Sequence, residues 1–138
     1  MKYALDTDII SYFLKGTQKN VIDSIEGINP DNICTTIFNF SELLFGAYLK
    51  LRKNSNLFIT INNFLKDIEI LQFDKTSAEI FADSKAKLYK KGKPLADLDL
   101  LIACTCISNN ATLVTHNTKH FSRIKGLKTE DWSLKREV

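Results

Sequence analysis

The chain has 138 residues, 44% hydrophobic and 25% charged, with five glycines, two prolines and a formal net charge of +3. That is one domain's worth (residues 1–138), long enough for a sizeable core, and the composition excludes disordered, low-complexity and fibrous designs. Met1-Lys2-Tyr3-Ala4-Leu5-Asp6 lacks the apolar stretch of a secretory signal and no run reaches bilayer length, so the cytoplasm is the expected compartment.

Lys2 to Leu5 reads as a short buried strand ending at Asp6, with Thr7 or Asp8 as the cap of a helix over Ile9 to Leu14 that Gly16 stops. A short helix is expected over Gln18 to Glu26 and a strand at Ile33 to Thr35. From Ile37 to about Leu51 the apolar positions Phe38, Leu44, Phe45, Tyr48 and Leu49 suit a helix that contains Glu42. Gly46, four residues on, allows either close helix packing or room for a substrate. Asn54 to Phe64 is a further helix and Ile68 to Leu71 a strand. Asp74 caps a long helix over Lys75 to Lys90, with Ile80, Ala82, Ala86 and Leu88 as its less exposed positions, and Gly92 and Pro94 end it. Another helix starts near Asp97 to Asp99 and runs to Ser108. Thr112 to Thr115 is a strand, and Leu127 to Glu130 a last edge strand. Strands separated by helices predict an α/β fold with a mostly parallel sheet covered on both faces.

In such sheets ligands bind beyond the carboxyl ends of the strands, where Asp6 and Asn117 fall. Carboxylates seldom interrupt core-forming sequence unless something pairs with their charge. Asp6, Glu42 and Asp99 do so, and a divalent cation is the simplest common partner. Mg²⁺ and Mn²⁺ prefer such hard oxygen ligands. Asp97 is read as a supporting residue that extends the ligand set, orients water or caps its helix. Asp8 either assists or caps the first helix. Thr7 and Thr115 are candidates to hydrogen-bond the acidic residues or a phosphate. The plain alternative is a set of unrelated surface and capping carboxylates.

The basic residues fall in two groups, Lys85, Lys87, Lys90, Lys91 and Lys93, then Lys119, Arg123, Lys125 and Lys128. Beside an acidic cleft they suit a polyanion that is both held and cut, although a solvated lysine-rich face explains them too. Cys34, Cys104 and Cys106 have neither zinc spacing nor disulfide-scaffold spacing and read as reduced structural thiols. His116 and His120 bracket Asn117 without the further ligands a zinc site needs. Tyr89 and Trp132 could stack on bases, with packing the stronger expectation for each.

Asp6-Thr7-Asp8 also resembles the opening motif of haloacid dehalogenase-like phosphatases, but Ile10 stands where they carry threonine. A broader match runs along nearly the whole chain. It comprises Leu5-Asp6-Thr7-Asp8-Ile9, Glu42-Leu43 with Gly46, Gly92-Lys93-Pro94-Leu95 leading to Asp99-Leu100-Leu101-Ile102-Ala103, Leu113 to Phe121, and Gly126 to Trp132. In this order and spacing the fragments resemble PIN-domain nucleases of the VapC toxin type. The resemblance implies a three-layer α/β/α PIN fold, a Mg²⁺- or Mn²⁺-dependent endoribonuclease, a cognate VapB-type antitoxin that blocks the acidic cleft, and a homodimer. It places the three acidic ligands at Asp6, Glu42 and Asp99. Thr118 to Trp132 looks like the members that cleave initiator tRNA. The chain departs from the pattern at the fourth acidic position, where Asn117 and His120 are neutral; this favours one ion over two and keeps open a PIN-like binding module without catalysis.

Overall fold

The computed structural model describes residues 1–50 and 55–134. Five strands form one sheet in the order β3-β2-β1-β4-β5: β1 (Lys2–Leu5), β2 (Ile33–Thr36), β3 (Glu69–Leu71), β4 (Ala111–Val114) and β5 (Thr129–Glu130). Every pairing is parallel, with Tyr3 opposite Ile33 and Thr112, and Leu5 opposite Val114. The helices are α1 (Thr7–Lys15), α2 (Lys19–Glu26), α3 (Ile37–Leu49), α4 (Ser55–Leu65), α5 (Lys75–Lys90), α6 (Asp97–Ser108) and α7 (Thr118–Phe121).

The strand period of two sorts side chains into two apolar layers. Ala4, Cys34 and Leu113 join Leu71, Leu100, Ile102 and Phe121 on the α5–α6–α7 face. Their neighbours Leu5, Ile33 and Val114 join Ile9, Ile10, Leu43, Ile61 and Trp132 on the α1–α4 face. The result is the expected three-layer α/β/α arrangement. Leu113, fully buried at the sheet centre, tests it. Leu113→Ala should lower the unfolding free energy by about 2–5 kcal/mol in a urea titration, and a loss below about 1 kcal/mol would contradict this packing.

Several sequence expectations are corrected. The cap of α1 is Asp6, whose side chain accepts from Thr7 N, and not Thr7 or Asp8. Phe45, Tyr48 and Leu49 are exposed (64%, 60% and 70%), because α3 buries Asn39, Leu43 and Ala47 instead. Ala82 and Ala86 are exposed, while α5 buries Ser77 and Leu88. Strand β4 runs from Ala111 to Val114 and leaves Thr115 beyond the ladder, and β5 begins at Thr129 rather than Leu127. Leu51 and Asn54, the expected end of α3 and start of α4, lie outside the described residues. Trp132 is buried as packing requires, whereas Tyr89 is 79% exposed.

The three cysteines are free and buried, and burial pushes the Cys34 thiol up to about 12. Among the described residues no helix is long and apolar enough to cross a membrane. The chain runs outward through β1, β2 and β3, then returns to β1's other side for β4 and β5. The sheet therefore reverses direction between β1 and β4, and the crevice at their carboxyl ends is where this architecture receives ligands.

Candidate active site

Asp6 stands at that crevice because β1 ends at Leu5, and its backbone N–H still donates to Val114 O at 2.8 Å. Three groups fix its carboxylate. Thr7 N and Asn39 Nδ2 donate to Oδ1 at 2.9 and 2.7 Å, and Thr115 Oγ1 donates to Oδ2 at 2.8 Å. Asn39 is fully buried, and its own oxygen accepts from Thr36 Oγ1 at 2.7 Å. Thr7 turns its hydroxyl to Glu42 Oε1 at 3.0 Å while accepting from Asn39 Nδ2. One network thus sets Asp6 and Glu42 from β1, α1, α3 and the end of β4.

Asp99 enters from the first turn of α6, where unsatisfied N–H groups and the positive end of the helix dipole favour a carboxylate. His120, on α7, donates from Nε2 to Asp99 Oδ2 at 2.9 Å. The carboxylates act on one another. Burial raises the proton affinity of Asp6 above the ordinary value, and the charge of Asp99 adds to it. Glu42 is raised for the same reason, burial first, with Asp6 and Asp99 both contributing repulsion. Its hydrogen bond from Thr7 opposes this rise. Among the described residues neither Asp6 nor Glu42 has a cationic partner within ion-pair distance.

Asp97, Asp8, Asn117 and Gly46 make no hydrogen bond to these three carboxylates among the described residues. Asp97, one residue into α6, pairs with Lys85 at 2.9 Å and is largely exposed. Asp8 accepts from Ile9 N and from His116 N, and burial, reinforced by Asp6, pushes it up to about 6. Asn117 donates its N–H to Thr115 Oγ1 and caps α7. Gly46 lines a cavity of about 160 Å³ with Thr7, Ser11, Glu42 and Lys50, and a Cβ there would meet nothing within 4 Å. Of the two readings of Gly46, room beside the carboxylate is the one this space supports.

Sequence reasoning missed Asn39 and Thr36, the hub that orients Asp6. Their signal was an asparagine inside the apolar run Ile37-Phe38-Asn39-Phe40, three residues before Glu42 and so on its side of the helix. The pairing of His120 with Asp99 was missed as well.

The donor set suits a hard divalent ion. Asp6 and Glu42 feel each other and Asp99 yet have no cationic partner, and Glu42 Oε2 and Asp99 Oδ1 accept no hydrogen bond among the described residues. As placed, however, no group of three or more His, Cys, Asp or Glu side chains among the described residues closes to metal-holding distance. Asp99 is hydrogen-bonded to His120, outside the network that joins Asp6 and Glu42.

A family model described as "PIN domain" matches residues 3–127. A relative from Shigella flexneri, named "tRNA(fMet)-specific endonuclease VapC", is 32% identical over 133 residues, 96% of this chain and 99% of the relative. Among solved structures, VapBC2 from Rickettsia felis bound to a promoter DNA fragment matches with a TM-score of 0.86 at 32% identity, covering 96% of this chain and 99% of that one. DNA-bound VapBC from Salmonella typhimurium matches with a TM-score of 0.85 at 29% identity, covering 96% and 98%. A three-layer α/β/α fold around a parallel sheet is the architecture of a PIN domain. The chain belongs to that family, and within it to the VapC toxins of type II toxin–antitoxin systems.

Proposed function

We propose that the chain is a metal-dependent endoribonuclease toxin that hydrolyses phosphodiester bonds in RNA, with initiator tRNA as the substrate. In this reading Asp6, Glu42 and Asp99 hold one Mg²⁺ or Mn²⁺ ion, Asp97 supports them from the start of α6, and the protein works in the cytoplasm as a homodimer. A VapB-type antitoxin neutralises it by covering the acidic crevice. The observation that carries the proposal is charge repulsion at the sheet's reversal point, in a chain of this family, among Asp6 and Glu42, with no cationic partner among the described residues, and Asp99, bonded to His120. The substrate follows the activity for which the Shigella flexneri relative is named, and the antitoxin follows the two VapBC complexes.

A bound divalent ion supplies charge that polarises the scissile phosphate and makes a bound water a nucleophile near neutral pH. The chain's residues prepare for this. Thr7, Asn39 and Thr115 hold Asp6 still, and Thr7 sets Glu42 beside it. Asp99 Oδ2 accepts from His120, and its Oδ1 accepts no hydrogen bond among the described residues. The cavity beside Glu42 and Gly46 gives an RNA sugar or base a place next to the acids.

Digestion of total tRNA with Mg²⁺ or Mn²⁺, followed by mapping of the new ends, tests the proposal. Cleavage should appear with metal, vanish with EDTA and vanish in Asp99→Ala. Cutting retained in both controls would end the assignment. A second reading, a PIN-like module that binds without cutting, draws on the neutral Asn117 and His120 and the His120–Asp99 hydrogen bond. It requires RNA or protein binding with no metal-dependent product.

A further inference from the structure

We propose that a basic groove between α5 and the segment after α7 holds the phosphate backbone of the RNA outside the acidic crevice. The choice of RNA as occupant rests on the nuclease reading above. The groove encloses about 270 Å³ and is walled by Lys87 of α5, by Lys91 just past its end, and by Arg123 and Lys125 from beyond α7. The two lysine-rich stretches of the sequence thus meet in one concavity.

Its electrostatics are lopsided. Asp83 is the single carboxylate lining it, and this is taken up by Lys87 at 2.9 Å. Lys91, Arg123 and Lys125 have no carboxylate partner among the described residues. Setting the groove's four cations and one carboxylate aside from the chain's 19 basic and 16 acidic residues leaves 15 of each. The chain's whole formal excess of +3 is therefore matched by this groove, while the rest of the chain is balanced. Like charges crowded into a concave wall repel one another, and concavity focuses their field outward, which draws an anion. Leu88 and Ile124 give the groove an apolar floor, which suits the sugar edge of a nucleic acid better than a small free anion.

The groove is also joined to the crevice. Arg123 Nη1 donates to Pro94 O at 3.4 Å, which ties the chain after α7 to the turn leading into α6. These two segments adjoin α7 and α6, the helices of His120 and Asp99, so a strand lying along the lysines is led toward the residues proposed to cut it.

The test uses the full chain in EDTA, with fluorescein-labelled bulk tRNA as the probe and anisotropy read between 50 and 200 mM salt. Removing one cation that neutralises a phosphate should flatten the slope of log K against log [salt] by about 0.7–0.9. Lys91→Ala/Lys125→Ala should therefore reduce the slope by roughly 1.5 and weaken binding about tenfold at the lowest salt. Lys19→Ala/Lys66→Ala, an equal loss of charge elsewhere, should change little. An unchanged slope in the groove variant, or an equal drop in the control, would overturn the proposal. So would a matching effect on poly-glutamate binding with none on tRNA, which would assign the groove to an acidic protein. With metal added, the groove variant should raise KM and leave kcat alone; the reverse pattern would show that the lysines serve the chemistry or the fold instead. Arg123→Ala is kept as a third variant, with its thermal midpoint measured because the bond to Pro94 O is removed. The two proposals fail separately. Groove-dependent binding by a chain that cuts nothing would remove the nuclease reading alone, and metal-dependent cutting without groove dependence would remove the groove alone.

Discussion

Asp6→Asn is expected to reduce metal-dependent RNA cleavage by about 100- to 1000-fold while raising the thermal midpoint of the metal-free protein. With Asp6 holding the ion as proposed, the loss follows from removing one anionic ligand from a centre whose contribution to the reaction is several kcal/mol. The gain has a separate cause. Folding buries Asp6 and sets Asp99 near it, so the carboxyl binds its proton more tightly folded than unfolded. Its ionised form therefore opposes folding at neutral pH, and a neutral amide removes that opposition. The hydrogen bonds can survive the exchange. The amide oxygen can still accept from Thr7 N and Asn39 Nδ2, and the amide NH₂ would face Thr115 Oγ1, a hydroxyl able to accept as well as donate. Cleavage assays beside differential scanning fluorimetry would check both arms. Activity within tenfold of the parent, or a lower midpoint, would contradict the role given to Asp6.

The second large effect is a metal-dependent midpoint that grows with pH. At a hundred times the dissociation constant, a ligand specific to the folded state contributes about 2.7 kcal/mol. For a chain of this size that is roughly 5–15 °C. Without metal, the midpoint should fall as pH rises from about 4 to 7. Asp8 is pushed from 3.8 to about 6, and Asp6 and Glu42 are also raised, all chiefly by burial. For a raised carboxyl, stability is fully present below the unfolded value and is lost as pH climbs through the folded one. Asp74, held low by Ser77, works the other way, but only below its ordinary 3.8 and so outside this window. The gain from Mg²⁺ or Mn²⁺ should accordingly be larger at pH 7 than at pH 5, where protons compete for the same oxygens. Asp8→Asn should flatten the metal-free slope. A metal-free midpoint that rises from pH 4 to 7, or one that ignores millimolar metal at pH 7, would contradict the charge cluster.

The elements and their alternation were legible because short apolar runs, Gly16, Asp74 and Gly92 punctuate the chain strongly. The acids stood out for a related reason, since each is embedded in or abuts apolar sequence. The orientation of α3 was not legible. Ile37-Phe38-Asn39-Phe40 and Leu43-Leu44-Phe45 are apolar around most of the helix, so periodicity cannot choose between burying Phe45 and burying Leu43. The same ambiguity hid Asn39, whose value lies in Asp6 and Thr36 being nearby in space. The capping by Asp6 was obscured by three polar candidates in a row, and the one immediately after the strand was used. His120 and Asp99 are 21 positions apart on different helices, and no local pattern encodes their meeting.

The bond from Thr115 to Asp6 spans 109 positions of the chain. A ribosome making this protein exposes Asp6 and Glu42 early, but the residue that pins Asp6 from the far side emerges only when most of the chain is made. Domains fold largely as units during synthesis, and strand β1 has no β4 to pair with until then. The acid at the end of β1 is thus pinned from both sides only once β4 has docked beside it.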